Sequence, residues 1–304
     1  MAEIDDYLAS AHAVGEYLLL AWDRACRAAG VGYFVTSGTL LGAVRSGGWI
    51  PWDDDIDVTI LREDFETLKG QLDRFLPDGV IYSSQEVRAD HITPVPRLLY
   101  VDSHRVHEGR RRQNMPVETR HVPLDIFILD HGPRSERLRQ AWSRVARALD
   151  LAATARYTSV RDVLDEPGLG RARRVAELVT LLPSRILTHR AWCALRTAWV
   201  RLPRRCGVRG PLMATNYATP GGRRMSFELA WHLPRSTVEF EGNRFSAPGD
   251  TDAVLTEIYG ADYLTPPPAH ERQPIHMRGG LDVDRDLLAS RTEALIATQD
   301  AAAS

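Results

Sequence analysis

Cysteine is scarce in this chain of 304 residues: Cys26, Cys193 and Cys206 form no C-x-x-C pair and leave an odd one over. That excludes a disulfide framework and a cysteine-based zinc site. Lysine is almost missing. Lys69 is the only one, so 37 of the 38 basic residues are arginine, a bias that suits forked recognition of phosphate or follows from a GC-rich genome. No apolar run approaches the ~18–20 residues of a membrane-spanning helix. The opening Met1-Ala2-Glu3-Ile4-Asp5-Asp6 is acidic and lacks the charged-then-apolar layout of a secretory signal, so the expectation is a soluble, cytoplasmic protein. There is no internal repeat and no H-E-x-x-H zinc motif. A net charge of −2 argues against general nucleic-acid binding. With 44% apolar and 26% charged residues, the composition is that of an ordinary folded protein, with room for one large domain or two small ones.

The small net charge hides an asymmetry. Between Arg134 and Arg209 there are 17 arginines and 6 acids, whereas the remainder is acidic. Leu138, Trp142, Val145 and Leu149 in that stretch follow helical spacing, and a second helical run extends from Arg171 to Val200, broken by Pro183 and Pro203. Residues 134–210 therefore read as a basic helical insertion or lid between a core at 1–133 and its continuation at 211–285. A C-terminal helix and tail follow at 286–304. Ile4, Tyr7, Leu8, Ala11, Val14, Leu18 and Trp22 mark an amphipathic first helix that ends at Gly30. Further expectations are a short buried strand over 32–36, a helix over 39–45, a strand over 55–61, a helix over 63–75 and strands over 98–101 and 122–129. Near the end, a hairpin turns at Gly242-Asn243, and a helix from 251 to 259 is stopped by Gly260.

The chemistry concentrates in one segment. Asp55 and Asp57 alternate with Ile56, Val58 and Ile60, so on a strand the two acids share a face about 6–7 Å apart. Carboxylates held together at the edge of a core repel one another and call for a cation, and oxygen-only ligands select Mg²⁺ or Mn²⁺. Upstream, Gly38-Thr39 lies at a strand-to-helix turn. There the glycine lets a phosphate approach the backbone, while free N–H groups and the Thr39 hydroxyl can hold its oxygens. Arg45, about two turns on, adds a forked cationic contact. A third acid, Asp125, is embedded in the apolar run Leu124–Leu129, a costly place for an unpaired carboxylate. It is the candidate for a further metal ligand and for the base that accepts a hydroxyl proton. Asp130 ends the same run and reads as a turn cap.

The segments Gly38–Arg45 (GTLLGAVR) and Ile50–Asp57 (IPWDDDID) closely resemble the signature of the LicD family, which groups bacterial phosphocholine transferases with fukutin-like ribitol-phosphate transferases. Leu124–Asp130, Phe240–Pro248 and Tyr259–Pro267 are similar to further blocks of that family, so the resemblance covers both ends of the chain and spares the basic middle. It implies an α/β (α+β), nucleotidyltransferase-like fold of the DNA polymerase β type, with a mixed sheet flanked by helices. It also implies Mg²⁺-dependent transfer of a phosphorylated alcohol from a nucleoside diphosphate-linked, CDP-activated donor to a hydroxyl of a glycan or small-molecule acceptor. The family pattern maps to Gly38-Thr39, to Asp55 and Asp57, and to Asp125; with Arg45 added, Gly38 and Thr39 would hold donor phosphates, and the three acids would serve metal and catalysis. The gap from Thr39 to Asp55 is longer than usual. Counting to Asp53 fits better, but Asp53 and Asp55 lack the apolar residue between them that a strand edge needs, so Asp53 is taken as support.

Two other functions use the same residues: transfer of a nucleotide with release of pyrophosphate, and a non-catalytic nucleotide-binding scaffold. Trp49 and Trp52 read first as packing of the loop before the acids. Arg97 suits a phosphate and the surface equally. Among His91, His121, His270 and His276, the last ranks first for its place beside the family-like C-terminal block. The runs Arg110–Arg112 and Arg223-Arg224 read as solvated faces. The basic middle permits contact with a membrane surface without requiring it, and a covering lid is the preferred reading.

Overall fold

The computed structural model describes residues 2–106, 116–155, 184–214, 225–277 and 279–303. Helix α1 (Ala2–Ala29) realises the amphipathic stripe. Val14, Leu18, Trp22 and Ala25 are fully buried against the sheet, and each large aliphatic or aromatic side chain so buried contributes about 1.5–3 kcal/mol. Tyr17 packs edge-on to Tyr100 with ring centroids 5.5 Å apart, and Trp22 does the same to Tyr33 at 6.2 Å. A left-handed Gly30 ends the helix.

The sheet is built around one long strand. Strand β1 (Phe34–Val35) leads into helix α2 (Ser37–Ser46), and β2 (Ile56–Leu61) into helix α3 (Arg62–Leu68). Strands β3 (Val80–Ser83), β4 (Arg97–Tyr100) and β5 (Ser103–Arg105) follow, then the short helix α4 (Val117–Arg120) and the ten-residue β6 (Val122–His131). Strand β6 pairs in parallel with β2, Asp57 standing opposite Asp125 and Leu61 opposite Leu129. On its other edge it pairs antiparallel first with β4, then with β7 (Leu212–Ala214). The order β1-β2-β6-β4-β3, extended by β7 and β8 (Ser226–Phe227), makes a seven-stranded mixed sheet. Val58, Ile60, Ile126 and Ile128 are buried at alternate positions of its two central strands.

The basic middle supplies helices α5 (Glu136–Ala155) and α6 (His189–Arg205), which form their own small core of Trp142, Ala146 and Val200 on Met213 of β7. Arg201 and Arg204 tie α6 to Glu66 and Glu63 of α3. These contacts lie at the end of β2 and β6 remote from Asp57 and Asp125, roughly five residues or ~17 Å along the strands. Pro203, expected to break the helix, instead sits inside its last turn, where the chain is about to leave helical geometry anyway. Arg171 to Pro183 and the runs Arg110–Arg112 and Arg223-Arg224 lie outside the described residues.

In the C-terminal part, a four-residue helix α7 (Leu229–His232) precedes the hairpin of β9 (Ser236–Phe240) and β10 (Asn243–Ala247). Asn243 pairs with Phe240, so the turn is Glu241-Gly242, one residue earlier than the sequence suggested. Both turn residues have positive φ (49° and 75°), as a two-residue hairpin of this hand requires, and Glu241 accepts that geometry because its side chain and N–H are both used. The N–H donates to Gly47 O at 2.9 Å, and the carboxylate accepts from Trp49 N–H at 2.9 Å. Helix α8 (Thr251–Tyr259), strand β11 (Leu281–Val283) on β5, and helix α9 (Arg285–Ala303) against α1 complete the described chain.

Candidate active site

Parallel pairing of β2 and β6 sets the site. Because Asp57 and Asp125 are register partners, their side chains leave the same face of adjacent strands. Asp125 is gripped by Arg97 of β4, its register partner on the other edge, through Nε–Oδ1 at 2.6 Å and Nη2–Oδ2 at 3.0 Å. Arg97 is thus neither on the surface nor free for a phosphate; it is the forked partner of the third acid, with side chains 16% and 14% exposed.

Among the described residues, no arginine, lysine or histidine pairs with Asp57 in this way. Burial raises its pKa well above the usual carboxylate range, and the neighbouring charges of Asp55, Asp125 and Asp53 push it further. The residues before it serve to position it. Thr39 is buried, and its hydroxyl accepts the Asp57 N–H at 2.9 Å. The Ser37 hydroxyl lies within hydrogen-bond reach of the Asp57 carboxylate, on a residue held at φ 50°. Gly38 is also needed for a close approach within the chain. A Cβ there would fall 2.0 Å from Asp53 Oδ2. Gly42 likewise lies against the Gly48 carbonyl, 2.3 Å from where a Cβ would stand, which closes the turn after α2.

The three consecutive aspartates have separate duties. Asp53 is raised well above its usual pKa by burial and by Asp55, with which it shares a side-chain hydrogen bond. Asp54 faces the opposite way and is buried. It accepts the Tyr7 hydroxyl at 3.1 Å and the N–H groups of Ile275 and His276 at 3.1–3.2 Å, pinning the C-terminal loop to the acidic turn. That loop delivers His276, whose Nε2 stands 2.9 Å from Asp55 Oδ2. Burial pushes the Asp55 pKa up, but the hydrogen bond and charge of His276 outweigh it and hold the carboxyl below its usual range. The same hydrogen bond raises His276 against its own burial. Arg105 of β5 also places its charge toward Asp55.

Among the described residues, no three His, Cys, Asp or Glu side chains stand in the arrangement of a preassembled metal site. The donor chemistry nonetheless fits a hard cation: oxygen ligands only, and a carboxylate, Asp57, crowded by three others.

Trp49 is covered, stacked on His12 at 4.1 Å and 13° and edge-on to Phe240. His12 in turn contacts the Asp53 carbonyl through Nε2 at 2.8 Å. Trp52 is half-buried, with the guanidinium of Arg45 5.7 Å from its ring centroid. Asp130, expected as a turn cap, is a buried partner of Arg62 at 2.7 and 3.0 Å. Of the weaker histidines, His91 is fully buried between Ser83 and the Val95 carbonyl. His121 sits 2.6 Å from Ser103 O, and His270 is exposed beside Glu271. Ser37 and Asp54 carry no signal in the sequence beyond their place beside or within the motif, and His12, 41 residues before Asp53, carries none.

The site thus gathers aspartates from two parallel strands of a mixed sheet beside the N-terminus of α2. The family model described as "LicD/FKTN/FKRP, nucleotidyltransferase domain" matches residues 30–95, the segment that holds Ser37 to Asp57. The chain is similar to the lipopolysaccharide cholinephosphotransferase LicD of Haemophilus influenzae, with 26% identity over 83% of this chain and 89% of that one. It also resembles the human ribitol 5-phosphate transferase FKRP, 52% identical over 46 residues, which are 14% of this chain and 9% of that protein. A Rickettsia prowazekii protein, RP689, is 54% identical over 43 residues. The likeness to LicD-type proteins is strongest in the segment that carries the acidic turn.

Proposed function

We propose that this enzyme, a LicD-type phosphotransferase, moves a phosphorylated alcohol from a CDP-activated donor to a hydroxyl of a glycan or small-molecule acceptor. The observation that carries the reading is the register pair Asp57–Asp125 beside Asp55, which joins the acids of the segment that matches the family model (residues 30–95) to a third acid outside it. We read the sheet as nucleotidyltransferase-like, with residues 1–133 and 211–285 forming its core.

In this reading Asp55 and Asp57 hold Mg²⁺ (or Mn²⁺), with Asp125 as the third acid. The ion supplies charge neutralisation for the reacting phosphate and a template for its oxygens. The chain's own residues do the rest. Ser37 and Thr39 fix the Asp57 backbone and carboxylate, and Arg97 keeps both Asp125 oxygens oriented. The acceptor hydroxyl forms a bond to the phosphorus, the bond to CMP breaks, and Asp125 takes the hydroxyl proton directly or through water. Arg45, which has no carboxylate partner among the described residues, holds a donor phosphate oxygen. Most of the rate enhancement then comes from alignment and charge neutralisation.

Product analysis tests the reading. Incubation with CDP-linked alcohols and Mg²⁺ should release CMP. Release of pyrophosphate from a nucleoside triphosphate instead would identify nucleotidyl transfer, and no turnover despite nucleotide binding would identify a scaffold.

A further inference from the structure

Two guanidinium groups from distant parts of the chain share one indole. Arg45, in the last turn of α2, lies 5.7 Å from the centroid of the Trp52 ring, and Arg272, on the loop after the 3₁₀ turn Ala269–Glu271, lies 5.2 Å from it. Arg272 is held in place by its Nε–H, which donates to the Pro267 carbonyl at 2.8 Å in the proline-stiffened stretch. Trp52 is packed against the core and immediately precedes Asp53, so the pair stands at the rim of the acidic turn. Among the described residues, neither arginine has a carboxylate within ion-pair distance, although this is a chain in which Arg62, Arg97, Arg196, Arg201, Arg285 and Arg291 all do.

Aromatic quadrupoles attract cations, but two of them on one ring also repel each other, and the guanidinium edges not facing the ring keep their hydrogen-bond donors. A shared anion relieves the repulsion and uses the donors. With both guanidinium carbons within about 6 Å of one ring centroid, the two stand no more than about 11 Å apart, a span that a diphosphate can bridge with an oxygen toward each fork. The ring itself is closed to the other ligand an indole might take: a quaternary ammonium group would have to compete with two cations already in its field.

We infer that Arg45, Trp52 and Arg272 form an anion clamp that binds a phosphate group of the substrate at the rim of the acidic site. Arg272 and Trp52 are its new members, and the ligand chemistry is a phosphate, supplied either by the diphosphate of the activated donor or by a phosphorylated acceptor. Only the choice between these sources rests on the transferase reading; the clamp itself does not.

The test is a calorimetric titration of the full chain with inorganic pyrophosphate in EDTA, comparing wild type with Arg272→Gln, Trp52→Leu and, as a control for diffuse electrostatics, Arg74→Gln on the exposed turn Leu72–Arg74. Arg272 is exposed, so its substitution leaves the fold intact, and circular dichroism checks each variant. The expected result is binding to wild type that weakens tenfold or more in Arg272→Gln and Trp52→Leu and is unchanged in Arg74→Gln. Absence of binding to wild type, an unchanged affinity in Arg272→Gln, or an equal loss in Arg74→Gln would each overturn the clamp. Repeating the titration with Mg²⁺ and CDP, and separately with ribose 5-phosphate, assigns the source: the Arg272→Gln loss follows the donor in the first arm and the acceptor in the second. Failure of CDP to bind while pyrophosphate still does would count against the CDP reading and leave the clamp standing.

Discussion

Replacing Arg97 with leucine would leave Asp125 largely buried beside Asp57 with no counter-charge. The pair is held by two short hydrogen bonds, and both side chains are only about one-sixth exposed, at 16% and 14%. Breaking such a pair from one side costs about 3–5 kcal/mol, because a desolvated carboxylate remains. The residual exposure places this case near the lower end, about 3 kcal/mol. For a chain of this size that corresponds to a fall in Tm of roughly 5 °C. Removing both partners is different: in Arg97→Leu/Asp125→Leu no charge is stranded, and about half or more of the lost stability should return, since leucines pack in place of the ions. Urea unfolding at pH 7, followed by far-UV circular dichroism, measures all three proteins. A single-variant loss under about 1 kcal/mol, or a double variant no more stable than Arg97→Leu, would refute the assignment of Arg97 as the buried partner of Asp125. Both variants should lose transferase activity, so activity does not separate them and stability does.

Two further outcomes follow from other parts of the site and fold. Gly38→Ala puts a methyl 2.0 Å from Asp53 Oδ2, which must swing away from Asp55; stability should drop by only about 1–3 kcal/mol, while turnover falls far more than substrate affinity, and an unchanged kcat would contradict this use of the glycine. His232 is buried between the rings of Phe34 and Phe227, and burial lowers its pKa from 6.5 to about 4. The unfolded chain therefore binds the proton first as pH falls, so this contribution to stability is complete above pH 6.5 and is lost progressively toward pH 4, by about 3 kcal/mol in total. The stability difference between wild type and His232→Phe, measured by urea titration at pH 7 and pH 4.5, should shift toward the variant at low pH, and a flat difference would show that His232 is solvated.

Much of the scaffold is written in local patterns. The apolar stripe of α1, the alternation over Asp55–Leu61 and the apolar run around Asp125 each fix an element because one residue's burial demands its neighbours' spacing. The acids were legible for the same reason: carboxylates inside apolar strands are too costly to be accidental. Their partners were not. Arg97 meets Asp125 only because β4 pairs with β6, and Arg62 meets Asp130 only because α3 starts where β2 ends beside it, so strand order had to be known first. His276 lies more than 200 residues from Asp55, and its arrival depends on Asp54 catching two backbone N–H groups. Thr39 reads as a phosphate ligand because a Gly-Thr before a helix has that use elsewhere; that its hydroxyl also accepts the Asp57 N–H could be seen only once α2 and β2 were placed together. The hairpin slipped by one residue because glutamate is a poor advertisement for positive φ, and only its two tertiary hydrogen bonds explain it.

The central claim is that Asp55 and Asp57 hold a divalent cation that a cytidine nucleotide requires. Its most direct measurement is calorimetric titration of CDP, CTP, UDP, ADP and ATP into the full chain, with Mg²⁺ and with EDTA, beside the Asp57→Asn variant. The account predicts binding selective for the cytidine nucleotides, dependent on Mg²⁺ and abolished in Asp57→Asn with the fold intact. Nucleotide binding that is indifferent to Mg²⁺, or equally strong in Asp57→Asn, would contradict it.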